Sequence, residues 1–255
     1  MSRLLAIAHN TFRETMRDRV LYSLLFFAGL VLLTSLVLEE LTIGDADKVV
    51  RSVGMGAIRV FGSVFAVFLG VGLVYKELER KTIYTIASKP IPRWMFVIGK
   101  YLGLLAVIAV NLGLMSLLFL LITGMQQGFV GTGVFVAWGL LMVELSLLTA
   151  WSLLFSTYSS PTVAATFSIA VFVIGHLADD IWLYGTSAQS AQVRAIAEAV
   201  YWVLPNFSVF DVSDLAVHRL PIPGDQVLWA VLYGLGYASA VVAAACLVFQ
   251  GRDFK

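Results

Sequence analysis

Lys76-Glu-Leu-Glu-Arg-Lys-Thr-Ile-Tyr-Thr-Ile-Ala-Ser-Lys-Pro-Ile-Pro-Arg93 is a charged stretch set between two long apolar runs. Its surroundings decide how it is read. Hydrophobic residues fill 60% of the 255 positions and charged residues only 13%, with a mean hydropathy of +0.90. Soluble domains carry about 45–50% apolar and about 25% charged residues. The chain is therefore read as an integral membrane protein, and its basic stretch as a connection between two spans. Cys246, the single cysteine, lies in an apolar run, which excludes an internal disulfide or cysteine metal site and suits a small packing residue. The first apolar run is too long for a signal-peptide core, so no cleavable leader is expected.

A helix needs about 20 apolar residues to cross a bilayer. Six segments qualify: 20–38, 57–75, 101–122, 134–155, 162–183 and 227–249. None alternates strictly between apolar and polar, which argues against a barrel. The predicted fold is all-α: a single polytopic transmembrane domain over 1–255, with an interfacial helix at 1–19, a loop at 76–100 and an outer loop at 184–226. Twelve of the seventeen lysines and arginines fall in the N-terminal tail, in 76–100 and in the C-terminal tail. The other five, Lys48, Arg51, Arg59, Arg194 and Arg219, share their side with ten acids. Positive charge marks the cytoplasmic side. Both termini and the basic loop are thus predicted to be cytoplasmic, in a cell membrane, with Arg59 snorkelling near the start of the second span.

Short turns at 123–133 and 156–161 predict that spans three, four and five are antiparallel neighbours. In the outer loop, 188–204 reads as a helix with Val193, Ile196, Ala197, Val200 and Tyr201 as its apolar positions, ended by Pro205. An amphipathic or re-entrant element is expected there. Residues 3–19 also read as an amphipathic helix. Leu4, Leu5, Ala8, Phe12 and Met16 share one stripe, and Asn10, Arg13, Glu14, Arg17 and Asp18 face away. Such a helix lies in the headgroup layer. In the basic loop, Glu77 precedes Arg80 and Lys81 by three and four positions, a spacing that supports a short helix. Pro90 and Pro92 stop that helix. It would project from the membrane with Ile83, Tyr84 and Ile86 as contacts, apolar residues that a merely solvated loop does not need.

Glu77-x-Glu79-Arg80-x-Thr82, Ser88-Lys89-Pro90-x-x-Arg93 and Gly99-Lys100 together resemble the signature of type-2 ABC transporter permeases. Thr11-Phe-Arg-Glu-x-x-Arg17-x-Arg19 is similar to that family's interfacial connecting helix, and Leu204-Pro-Asn-Phe207 fits its outer region. Lys81 departs from the pattern, since glycine is common there. The resemblance implies the membrane subunit of an ABC exporter, with a coupling helix carrying Glu77, Glu79, Arg80, Lys81, Thr82, Ile83, Tyr84 and Arg93. It also implies a second permease copy and two ATP-binding subunits, which would hold ATP and Mg, while this chain binds no cofactor. Lipid is an expected partner and nucleic acid is not. The residues agree on one point. Gly99-Lys100 lacks the glycine and hydroxyl neighbours of a Walker A loop, so any ATP must be hydrolysed by a partner. A non-transporting scaffold or secondary carrier, and less favourably an intramembrane hydrolase, are the alternatives. His9, His176 and His218 offer a hydrolase no convincing nucleophile setting.

Polar residues inside spans are costly and mark structure or function. Asn111 and Glu144 fall mid-span in the third and fourth helices, and a hydrogen bond between them would lock that hairpin. Contact with substrate or a proton is the other reading. His176, Asp179 and Asp180, at helical spacing near the end of span five, form an interfacial polar cap or a cation site. Gly236, Ala240 and Ala244, and Gly99-x-x-x-Gly103, would let helices approach closely, within the subunit or between copies.

Overall fold

The computed structural model describes residues 3–18, 22, 25–26, 28–34, 46–79, 92–127 and 131–251. Among them every regular element is helical. These are α1 (Arg3–Thr15), α2 (Ala46–Glu79), α3 (Arg93–Gln127), α4 (Gly133–Tyr158), α5 (Pro161–His176), α6 (Ala178–Thr186), α7 (Ala191–Val203), α8 (Ser213–Val217) and α9 (Gly224–Gln250). A single 3-10 turn, Ser208–Phe210, lies between α7 and α8. Helices α2, α3, α4 and α9 are each long and apolar enough to cross a bilayer, and α5 with α6 qualifies as one bent span. Residues 28–34, within the first predicted span, are helical, but most of that span lies outside the described residues. Leu114, Leu117 and Leu121 on α3 and Leu228, Trp229 and Leu232 on α9 are exposed. Such faces suit hydrocarbon rather than water.

Helix α4 is the hub, packed against α2, α3, α5, α8 and α9, with α9 and α2 as its most extensive partners. Burial all round forces its polar side chains to find partners nearby. Ser146, Thr149, Ser152, Ser156 and Thr157 donate to carbonyls three or four residues back, so these hydroxyls are satisfied without water. Small residues let the neighbours close in. A Cβ on Gly70 of α2 would lie 2.5 Å from the Ser152 Cβ, and one on Gly62 would lie 3.0 Å from Leu145. On α9 the packing stripe is Ala230, Gly234 and Ala238, all buried. The expected stripe takes no part in that contact: Gly236 and Ala240 are exposed on the single chain. Both sets of small residues recur every four positions, and only contact with α4 distinguishes them.

The Gly99-x-x-x-Gly103 pair acts inside the subunit. A Cβ on Gly99 would lie 2.8 Å from Ile7, and one on Gly103 would lie 2.7 Å from the Ala8 carbonyl oxygen, so α1 packs backbone-close along α3. This shifts the expected face of α1. Thr11 and Thr15 are buried, while Leu5 is exposed, because the mate is a helix groove rather than a flat lipid surface. Phe12 and Met16 pack around Phe65 and Val107, and Arg13, Glu14 and Arg17 are exposed as predicted. Nearby, Arg93 donates to the Gln250 carbonyl at 2.9 Å, satisfying an end-of-helix acceptor of α9, and Phe96 stacks on Phe249. Lys100 is buried within α3, its ammonium 5.3 Å from the centre of the Phe96 ring. The starts of α1 and α3 and the end of α9 thus gather at one end of the bundle, the Arg93 end.

Gly103→Ala is expected to lower stability by about 1–3 kcal/mol through overpacking and to speed proteolysis within α1. Gly113→Ala, whose added Cβ meets nothing within 4 Å, is the control and should change neither readout.

Candidate functional site

At the opposite end of the bundle the chain between α7 and α9 folds back as a plug. Phe207 and Phe210 are fully buried in it. The Phe207 N–H donates to the Gly175 carbonyl at 2.9 Å, the Asn206 N–H donates to the Tyr233 hydroxyl at 2.9 Å, and Arg51 of α2 donates to the Val217 carbonyl at 3.3 Å. Gly175 is required there, since a Cβ would lie 2.5 Å from the Pro205 carbonyl oxygen.

The plug also explains the fifth span, which was expected to run straight over 162–183. Helices α5 and α6 meet at 61° across Leu177. In an unbroken helix the Gly175 carbonyl would accept from the amide four residues on. Here it accepts from Phe207, and the Asp179 carboxylate accepts hydrogen bonds from Asn206 and Ser208. A chain inserted into the ladder is a recognised cause of a kink. Beyond the bend α6 packs on α7, with Gly185 against Ala197 and the Trp182 ring 4.7 Å from Tyr201. Of the positions predicted as apolar on α7, Ala197 is buried, but Val193 and Ile196 face outward.

Beneath the plug lies the densest charge in the described interior. Glu144 of α4 is fully buried. Its Oε2 lies 3.7 Å from Arg59 Nε of α2, and its Oε1 lies 3.4 Å from His176 Nε2 of α5. Arg59 also bridges to Asp211 in the plug. His176 is oriented by a 3.0 Å contact from Nδ1 to the Phe172 carbonyl and by stacking on Phe207. Both Glu144 oxygens, Arg59 Nε and His176 Nε2 sit close together yet make no hydrogen bond. Asp211 lies outside the spans. Burial alone would raise its pKa, but the Arg59 hydrogen bond and charge outweigh that and hold the carboxyl below its usual range.

This geometry corrects several expectations. Glu144 does not pair with Asn111, whose side-chain amide is buried without a hydrogen-bond partner. Helices α3 and α4 do pack, but Tyr101 meets the Ser146 carbonyl and Phe119 meets Trp138, while Glu144 points to α2 and α5 instead. Arg59 does not snorkel; it lies between two carboxylates. His176, Asp179 and Asp180 do not converge either. His176 turns inward, Asp179 binds the plug and Asp180 is exposed. No group of three metal-type ligands occurs among the described residues.

The profile of the ABC-2 family transporter protein matches residues 5–254. The chain belongs to the ABC-2 transporter family. No curated protein matches it significantly. In this ABC-2 permease, a multi-pass membrane protein, the segment expected to couple to an ATPase begins where α2 ends. Glu77 and Glu79 occupy the last turn of α2, Arg80, Lys81, Thr82, Ile83 and Tyr84 lie outside the described residues, and Arg93 opens α3.

Arg59→Met should destabilise the permease by about 3–5 kcal/mol, because it removes the shared partner of Glu144 and Asp211 from a buried network. Asp211→Asn should cost less, since its carboxylate is 40% exposed and screened. Thermal unfolding in detergent compares the two. The pH dependence has a defined sign. A carboxyl held below its unfolded value of about 3.9 stabilises the fold above that pH, and loses its effect as pH falls through the native value. The melting-temperature gap between wild type and Asp211→Asn should therefore be constant near neutrality and close below about pH 4.

Proposed function

We propose that this permease is one membrane half of an ATP-driven exporter in the cell membrane. It would have six spans, the first over 20–38, and pair with a second copy of itself. Two separate ATPase subunits would bind ATP and Mg and dock at the Arg93 end, which would face the cytoplasm. The observation that carries this reading is the family match over residues 5–254, because that family supplies transport subunits that associate with ATP-binding proteins.

The geometry adds support. Helix α2 runs without interruption for 34 residues from Ala46 to Glu79. The rise from Arg59 to Glu79 is about 30 Å at 1.5 Å per residue. A push on Glu77 and Glu79 would therefore reach Arg59 through a single stiff rod, and Arg59 holds the plug. Helix α1 begins at the same end and is locked to α3 through Gly99 and Gly103. Movement imposed there would pass into the bundle as well.

Two measurements test the proposal. The tagged permease should co-purify with an ATPase subunit, and repeated failure to recover one would exclude it. Reversing both charges, Glu77→Lys with Glu79→Lys, should reduce permease-stimulated ATP turnover to near background while leaving membrane insertion intact. Unchanged stimulation would remove the coupling role from these residues.

A further inference from the structure

We infer that Glu144 and His176 form a one-proton binding site that latches the plug to the bundle. Hydrogen-bond accounting leads there. His176 Nδ1 meets the Phe172 carbonyl at 3.0 Å, so a neutral ring keeps its hydrogen on Nδ1 and presents Nε2 as an acceptor. That nitrogen faces Glu144 Oε1, another acceptor, across 3.4 Å. Both atoms are buried without a hydrogen-bond partner, and leaving them so is costly. One proton, held on either side of the gap, supplies the donor that the pair otherwise lacks.

Among the described residues, the surrounding groups leave this task to that pair. On α2, Arg51 is engaged with the Val217 carbonyl. On α6, Asp179 accepts from Asn206 and Ser208, and Asp180 is exposed. On α8, Asp214 and its neighbour His218 are exposed. On α9, the Tyr233 hydroxyl accepts the Asn206 N–H and Tyr237 donates to the Val203 carbonyl. On α3, Tyr101 donates to the Ser146 carbonyl, and Lys100 lies toward the Arg93 end.

The latch follows from where the partners are attached. Arg59 spans Glu144 inside and Asp211 on the plug, while His176 stacks on Phe207 of the plug. With the proton bound, Glu144 and His176 are joined and the plug stays seated. Loss of the proton leaves two buried acceptors facing each other, which opening relieves by admitting water. Proton release and plug opening are therefore linked, whether or not an ATPase is attached.

A cysteine at Val212, a plug residue only 1% exposed, reports opening. The full-length chain in lipid vesicles carries Cys246→Ala, which removes the sole native thiol, together with Val212→Cys. Labelling by a membrane-impermeant maleimide is followed between about pH 6 and pH 9, a range that brackets ordinary histidine ionisation. The rate is divided by that of a Leu220→Cys chain, exposed at the outset, to cancel thiol ionisation. The normalised rate should rise with pH, by up to about tenfold per unit for one linked proton. Glu144→Gln offers His176 Nε2 an amide donor without a proton and should flatten the profile. His176→Gln removes the ring that shares the proton and should also flatten the profile over this range, and it decides the matter if Glu144→Gln does not fold. A flat profile in the parent chain, or one unchanged by both substitutions, would overturn the inference.

Discussion

Glu144 is a carboxylate placed in the most enclosed helix of the bundle, and the Phe207 end is organised around making that tolerable. Removing an ion from water costs several kcal/mol even after relaxation. Arg59 supplies the opposite charge from α2, but a lone guanidinium between helices would need further acceptors. Asp211 provides one from the chain that follows α7. The carboxylate in α4 thereby dictates which residue of a distant loop sits beside it. Phe207, Phe210 and the bend in the fifth span then fit around that connection.

The two ends of the molecule hold together by different physics. At the Arg93 end the contacts are close backbone approaches over Gly99 and Gly103, an arginine on the last carbonyl of a helix, and stacked phenylalanines. These depend on shape and hardly on pH. At the Phe207 end a four-residue charge cluster and carboxylate-centred hydrogen bonds dominate. Helix α2 belongs to both ends, and so does α9, whose Gln250 meets Arg93 and whose Tyr233 meets the plug.

The all-helical, multi-pass class was legible because a helix in lipid must satisfy its own backbone, which leaves long apolar runs as an unmistakable trace. The helices α3, α4 and α9 follow those runs, with ends extended by several residues where Arg93 and Lys100 are buried or capped rather than solvated. The family was legible from Glu77-x-Glu79-Arg80 and Leu204-Pro-Asn-Phe207. The site was legible only as isolated polar residues. Glu144 stood out by depth and His176 by its spacing to Asp179 and Asp180, but Arg59 and Asp211 are 152 positions apart, and no periodicity joins them. Arg59 in a span opposite an acid-rich loop was the one available signal. Nor could spacing alone tell Gly234 from Gly236 on α9, since both belong to a small-residue stripe and only the packed structure shows which meets α4.

The carbonyl of Gly175 carries a broader lesson about how a lipid-embedded rod can bend at low cost. A kink that abandoned an acceptor in hydrocarbon would forfeit several kcal/mol. Here the acceptor simply changes donors, from an amide of its own helix to the amide of Phe207. Bent and straight forms can each leave that oxygen satisfied, so the choice between them passes to whatever holds one phenylalanine ring in its slot. A joint of this kind is governed from outside the segment that flexes.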